Sequence, residues 1–289
     1  MTEALTVRAH AKVNLGLAVT GRRPDGFHDL HTIFVRLALA DTLTMRAADT
    51  LGGRVEFSGA GETAPLAMDD DNLVVRAARA YLERAGLEPA VQLLLRKRIP
   101  IAAGLGGGSS DAAATMSGLS RLFPEAADRV GEAQLGDLAL ELGSDIPFFL
   151  AGQPAAEGRG RGERLSPLQL PPLHLVLVKP PLQVSAAAAY GVLQETGPEL
   201  PIAAIVDALN RGEEPPYRND LQPGAEREWP QVNAALTQLR EQGLRGVLMS
   251  GSGPTCFGIA DTGEQARQAA ERIRSGRPDW WVWAGPTET

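Results

Sequence analysis

The chain opens on a strict alternation. Val7, Ala9, Ala11, Val13, Leu15, Leu17 and Val19 are apolar, and Arg8, His10, Lys12, Asn14, Gly16, Ala18 and Thr20 fill the positions between them. Period two predicts a long, half-buried strand, with Lys12 and Asn14 projecting from one face. Breakers at Arg22-Arg23-Pro24-Asp25-Gly26 predict a turn. Phe27, His28, Asp29 and Leu30 lead into strands near 32–39, 41–47 and 53–57. The period then changes. Leu73, Val74, Ala77, Ala78, Tyr81 and Leu82 line one face of a helix, with Asn72 as its N-cap, the acids 69–71 at its entrance and Gly86 as its stop. A strand is expected over 91–99, with Lys97 near its end. A helix carrying Ala112, Ala113, Met116, Leu119 and Phe123 follows, stopped by Pro124, and another spans 134–142 and ends at Gly143.

The stretch 153–164 is rich in Gly and Arg and reads as a crossing, dividing the chain into 1–153 and 154–289. Beyond it come a strand at 173–178, helices at 186–193 and 202–209, and a helix within 226–242. Strands at 247–249 and 256–260 flank a Gly-rich turn, and a helix at 264–274 and a strand at 280–284 close the chain. Strand and helix blocks mix without steady alternation, which is an α+β order.

Composition narrows the function. The 289 residues carry a net charge of −7 and few aromatics, so neither a nucleic-acid partner nor an anionic membrane is expected. No apolar run approaches a transmembrane length. Met1-Thr2-Glu3-Ala4 lacks the basic-then-apolar order of a secretory signal, so a cytoplasmic protein is expected. Cys256 is the one cysteine and reads as a small buried residue. Of 28 basic residues only Lys12, Lys97 and Lys179 are Lys. Each marks a place to ask whether a compact ammonium is needed where Arg serves elsewhere.

The strongest chemical signal is Pro100-Ile101-Ala102-Ala103-Gly104-Leu105-Gly106-Gly107-Gly108-Ser109-Ser110-Asp111. Glycines let backbone N–H groups approach a ligand, and the helix that follows brings unpaired donors and its positive dipole end. This describes a phosphate cradle. It lacks the Gly-Lys-Ser/Thr of a Walker loop and the glycine spacing of a dinucleotide fingerprint. Asp145, in Gly143-Ser144-Asp145-Ile146-Pro147-Phe148-Phe149, is a carboxylate in apolar company, which is either a turn cap or a functional acid. Ser250-Gly251-Ser252-Gly253-Pro254-Thr255 is a second Gly/Ser turn. His10, His28, His31 and His174 show no metal-ligand spacing.

These motifs together resemble the GHMP kinases. The glycine loop and Asp111-Ala112-Ala113 are similar to that family's second motif, and Ser250–Thr255 to its third. Ala11–Leu17, Pro24–His28, Asp71-Asn72-Leu73, Gly143–Phe149 and Asn219-Asp220-Leu221 resemble the branch whose acceptor is a cytidine diphosphate conjugate. The matches run in order from residue 11 to residue 259. The resemblance implies a two-domain fold with an active-site cleft between domains. It implies transfer of the γ-phosphate of ATP, with Mg²⁺, to the 2-hydroxyl of a methylerythritol group in the non-mevalonate isoprenoid route. Asp145 would be the general base and Lys12 its electrostatic partner. Residues Pro100 to Ser110 would hold the ATP phosphates, with Asn72 and Lys97 near the adenosine. Asn14, Phe27, His28 and Tyr190 would serve the acceptor. Where Phe27 stands the family usually has Tyr, so a phenol hydrogen bond is lost while the ring remains. Ser109, Ser110 and Asp145 are open choices for the metal. A homoserine- or mevalonate-type kinase and a silent nucleotide-binding protein are the alternatives, and a monomer or weak homodimer is expected.

Overall fold

The computed structural model describes residues 4–57, 66–88 and 90–288. Residues 1–3, which carry part of the N-terminal reading, lie outside them. The alternating segment is β1 (Leu5–Arg22), which pairs with β2 (His28–Ala47). The two strands expected at 32–39 and 41–47 are one continuous strand. Residues 9–19 of β1 are buried on both faces, so the expected half-buried strand is corrected: its polar face is covered too.

The described residues form two compact units, each discontinuous in sequence. The first comprises the described residues of Met1–Ala11, Leu39–Ile99 and Gly106–Gly152. In it β3 (Gly52–Phe57) runs parallel to β4 (Val91–Lys97), and β4 pairs antiparallel with Thr42–Ala47 of β2. Against these strands pack α1 (Leu73–Arg84), α2 (Gly107–Leu122), α3 (Pro124–Leu142) and α4 (Ile146–Leu150). The i, i+3, i+4 spacing of Val74, Ala77, Ala78 and Tyr81 buries one face of α1 with Leu43, Met45, Leu95, Met116 and Ile146. Each such large side chain contributes about 1.5–3 kcal/mol. Pro124 opens α3, which starts ten residues earlier than the expected 134–142 helix. Proline lacks an N–H that the first helical turn would leave unpaired anyway. Gly131, at φ 63° and ψ 167°, breaks α3 within its length and hid the first half from a periodicity reading.

The second unit comprises Lys12–Ala38, Pro100–Leu105 and the described residues of Gln153–Thr289. The stretch read as a crossing starts where the chain passes from the first unit to the second and folds into a hairpin, β5 (Ala155–Gly160) and β6 (Arg164–Pro167), and β5 pairs with Leu30–Val35 of β2. Its glycines serve packing. A Cβ on Gly158 would stand 2.6 Å from the Phe34 ring. The antiparallel sheet β10-β7-β9-β8 follows, from β7 (His174–Lys179), β8 (Arg245–Met249), β9 (Cys256–Ala260) and β10 (Trp281–Pro286). Around it lie α5 (Ala186–Gly191), α6 (Ile202–Arg211), α7 (Gln222–Glu228), α8 (Pro230–Glu241) and α9 (Gly263–Gly276). The 226–242 reading missed α7. The core here joins Leu17, Val178, Leu221, Val232, Leu236, Met249, Cys256 and Ile273. Among the described residues no helix is long and apolar enough to cross a membrane.

Candidate active site

Lys12 and Asn14 share the buried polar face of β1. Lys12 Nζ donates to Asn14 Oδ1 (2.6 Å) and to Gly104 O (3.3 Å), and lies 5.6 Å from the centroid of the Phe34 ring. Asn14 Nδ2 donates to Thr32 Oγ1 (2.8 Å), which donates onward to Gly16 O (2.7 Å). The cover is backbone. Lys12 N donates to Leu105 O at 3.0 Å. Ser250 Oγ accepts from Asn14 N (3.2 Å) and donates to Gly104 O (3.1 Å). Asn219 sets this turn: its Nδ2 donates to Met249 O and Gly251 O, both at 2.8 Å, and its Oδ1 accepts from Leu221 N at 3.0 Å. Sequence reading matched Asn219 as a motif and missed Thr32. A short polar residue inside an apolar strand was its one signal. Burying these groups is tolerable because each finds a partner.

The glycine loop is closed for several distinct reasons. Gly104 (φ 73°) abuts the Ser250 turn, where a Cβ would stand 2.4 Å from Ser250 O. Ala102 (φ 50°) is the non-glycine residue with left-handed backbone among the described residues, a strain tolerated because the loop is held on both sides. Gly106 (φ 67°) is the N-cap of α2 and offers no side-chain cap. A Cβ on Gly107 would meet Ile99 at 3.0 Å and Lys97 Nζ at 3.3 Å. The helix begins at Gly107, earlier than expected, so Ser109 and Ser110 belong to it and do not precede it. The intrahelical ladder starts with Ser110 N to Gly106 O at 2.8 Å. The N–H groups of 107–109 precede that ladder and have no side-chain cap, the arrangement an anion satisfies. Pro100, Ala103 and Leu105 are buried, with Ile101 half-buried.

Lys97 is held inside the first unit. Its Nζ pairs with Asp111 Oδ2 (2.7 Å) and with Asp41 Oδ2, all three side chains being buried. Asp41 Oδ1 also accepts from Ile99 N at 2.8 Å and from Arg98 N. Burial pushes the Lys97 ammonium down, but the Asp111 and Asp41 charges outweigh it and leave its pKa raised. Burial also drives the Asp111 carboxyl up to about 7, against the opposing pull of Lys97. Asp111 Oδ1 is buried without a hydrogen-bond partner. The three side chains grip both flanks of the glycine loop, Arg98-Ile99 before it and Asp111 after it. Sequence reading did not single out Asp41 or Asp111 for this pairing.

Asp145 is half-buried and precedes α4, which takes no side-chain cap from it. A Cβ on Gly143 would stand 3.8 Å from Ser109 Oγ, which brings the Asp145 segment beside the first turn of α2 in the same unit. Asn72 is the N-cap of α1 as expected: Oδ1 accepts from Val74 N (2.9 Å) and Nδ2 donates to Ala67 O (2.8 Å). His28 stacks on Tyr190, with ring centroids 4.9 Å apart and planes 14° from parallel. Phe27 is exposed, with Arg161 over its ring. His31 Nδ1 accepts from Leu200 N (2.9 Å), so Nε2 donates to Glu157 (2.7 Å), a structural pairing. Cys256 is buried, and burial pushes its thiol far up. Among the described residues no group of three or more His, Cys, Asp or Glu is arranged to hold a metal.

Comparison with known proteins finds relatives over nearly the whole chain. The GHMP kinases N terminal domain family matches residues 72–153 and the GHMP kinases C terminal family residues 202–278. A protein of Deinococcus radiodurans named 4-diphosphocytidyl-2-C-methyl-D-erythritol kinase is 49% identical over 96% of this chain and 91% of its own length. One of the same name from Thermus thermophilus is 47% identical, covering 96% and 94%. A crystal structure of 4-(cytidine 5'-diphospho)-2C-methyl-D-erythritol kinase superposes with a TM-score of 0.83 at 45% identity, covering 98% of each chain.

Proposed function

Because the chain belongs to the GHMP kinases, among those named 4-diphosphocytidyl-2-C-methyl-D-erythritol kinase, we propose that it phosphorylates the 2-hydroxyl of that compound with ATP, a step of non-mevalonate isoprenoid precursor biosynthesis. The observation that carries this reading is the uncapped first turn of α2 behind a loop of left-handed residues. Backbone donors there match the oxygens of a polyphosphate.

In this reading Pro100 to Ser110 hold the ATP phosphates, and Asn72 and Lys97 lie toward the adenosine. Asn14, Phe27, His28 and Tyr190 hold the acceptor. The Asp145 carboxylate takes the acceptor hydroxyl proton as the oxygen bonds to the γ-phosphorus. The bond from γ-phosphorus to the bridging oxygen breaks, and ADP leaves. Lys12 offsets the negative charge on the transferring group, the kind of fixed electrostatic help phosphoryl transfer needs. Mg²⁺ would neutralise phosphate charge. The hydroxyls of Ser109 and Ser110 and the Asp145 carboxylate are hard oxygen donors that suit it. We retain 1–153 and 154–289 as the bounds of the N-terminal and C-terminal family regions, across which the two compact units interleave, in an enzyme acting in the cytoplasm as a monomer or weak homodimer.

The test is acceptor-dependent ADP release, measured in parallel with the cytidine diphosphate conjugate, homoserine and mevalonate. Turnover with the conjugate alone is expected. Turnover only with homoserine or mevalonate would replace this reading with another small-molecule kinase, and none with any would leave a silent nucleotide binder.

A further inference from the structure

Phe27 and Phe57 are the large apolar side chains left exposed among the described residues, and Phe27 is 49% exposed. The exposure is not slackness. Asp25 Oδ1 accepts from Phe27 N (3.1 Å), and Arg23 N donates to Phe27 O (2.8 Å). Arg23 also pairs with Asp25 (3.1 Å) and Asp29 (3.2 Å), and Asp25 feels the charge of Arg161 as well. An apolar ring displayed on a braced turn is a contact surface.

Arg161 attends that ring, its guanidinium carbon 4.4 Å from the centroid. It sits at the tip of the β5–β6 hairpin, where Gly160 (φ 71°) and Gly162 (φ 108°) bend the backbone. Gly162 N donates to Arg159 O (3.1 Å), and the Glu163 carboxylate accepts from Arg161 N. The position of Arg161 is thus built by a closed turn. Arg277 makes a similar contact with Trp280, but Trp280 is buried and that pair caps a core. At Phe27 the ring is open, and the next residue, His28, is already stacked on Tyr190. A guanidinium against an aromatic face is weakly hydrated and keeps N–H donors in a fixed fork, the geometry that binds phosphate oxygens in pairs.

We propose that Arg161 is a phosphate-binding residue of the acceptor site, taking the diphosphate of the nucleotide conjugate while Phe27, His28 and Tyr190 hold the base. This rests on the acceptor assignment above. It makes the hairpin at 155–167 part of substrate recognition, and it gives the phenylalanine at 27 a cationic neighbour in place of a phenol hydroxyl.

Calorimetric titration of the full chain tests it, using cytidine, cytidine diphosphate and a nonhydrolysable ATP analogue. Wild type is expected to bind cytidine diphosphate more tightly than cytidine. Arg161→Ala should shrink that preference at least tenfold and leave cytidine and the ATP analogue within twofold. An unchanged preference overturns the assignment, and so does equal weakening of cytidine and cytidine diphosphate, which would make Arg161 only a support for the ring. Selective weakening of the ATP analogue also overturns it, by assigning Arg161 to the other nucleotide. Failure of wild type to bind either cytidine ligand overturns the acceptor reading itself and this inference with it.

Discussion

The Lys12 ammonium donates to Asn14 Oδ1 at 2.6 Å, and both side chains are buried where alternation predicts a solvent face. A Cβ on Gly251 would stand 3.3 Å from that ammonium. A guanidinium, larger and planar, has no room between Asn14 and the Ser250 turn. Lys12→Arg is therefore expected to fold but to lose about 100-fold or more in kcat, roughly 2.7 kcal/mol of transition-state stabilisation. Steady-state kinetics beside a thermal melt check this. Wild-type turnover would mean the compact ammonium is not required.

Asp145→Asn keeps shape and removes the basic oxygen. Binding of an ATP analogue should stay within a few-fold, while turnover falls by several orders of magnitude, in the upper range for a lost general base. Single-turnover kinetics with the cytidine diphosphate acceptor separate binding from chemistry. Near-normal turnover would remove Asp145 from the proton-transfer role.

The loop glycines should respond differently from one another. Gly104→Ala places a Cβ 2.4 Å from Ser250 O at φ 73°, so about 2–3 kcal/mol of stability should be lost in chemical denaturation. Gly106→Val forces a β-branched residue into φ 67° at the cap of α2 and should chiefly weaken nucleotide affinity. An ATP-analogue titration unaffected by Gly106→Val would contradict the cradle.

Asp111 makes stability depend on pH in an unusual sense. Its folded pKa of about 7 lies above the ordinary value of 3.8, so the folded state holds the proton more tightly. Its contribution is present below about pH 4 and is lost as pH rises through 7, because each tenfold gain in proton affinity on folding is equivalent to about 1.4 kcal/mol. Asp111→Asn mimics the protonated form. Wild type should match this variant in urea titrations near pH 4 and fall behind it progressively toward pH 8. A constant difference across that range would place the titration elsewhere.

Sequence pattern located most elements because helix and strand periods are local properties. It also anticipated the capping role of Asn72, whose signal lies in neighbouring residues. It failed where the deciding contact was remote. The polar face of β1 is buried because backbone near residues 104 and 250 covers it, and alternation carries no trace of that cover. Gly158 looked like linker glycine because the ring that needs its bare Cα, Phe34, is more than a hundred residues earlier. Asp41 read as an ordinary strand residue, since its partners Lys97 and Asp111 are joined to it only by the fold.

The burial of Lys12, Lys97 and Lys179 together gives the molecule a chemical silence. Side-chain amines meet solvent only when the packing around them opens, since every other basic side chain that carries a fixed charge is a guanidinium. Acylation of lysine in the intact protein would thus be a clock for opening rather than a map of the surface. Lys179, across from Trp281 at the end of β7, would time the closing sheet. Lys12 would time the loops above β1, and Lys97 the clamp on the glycine loop.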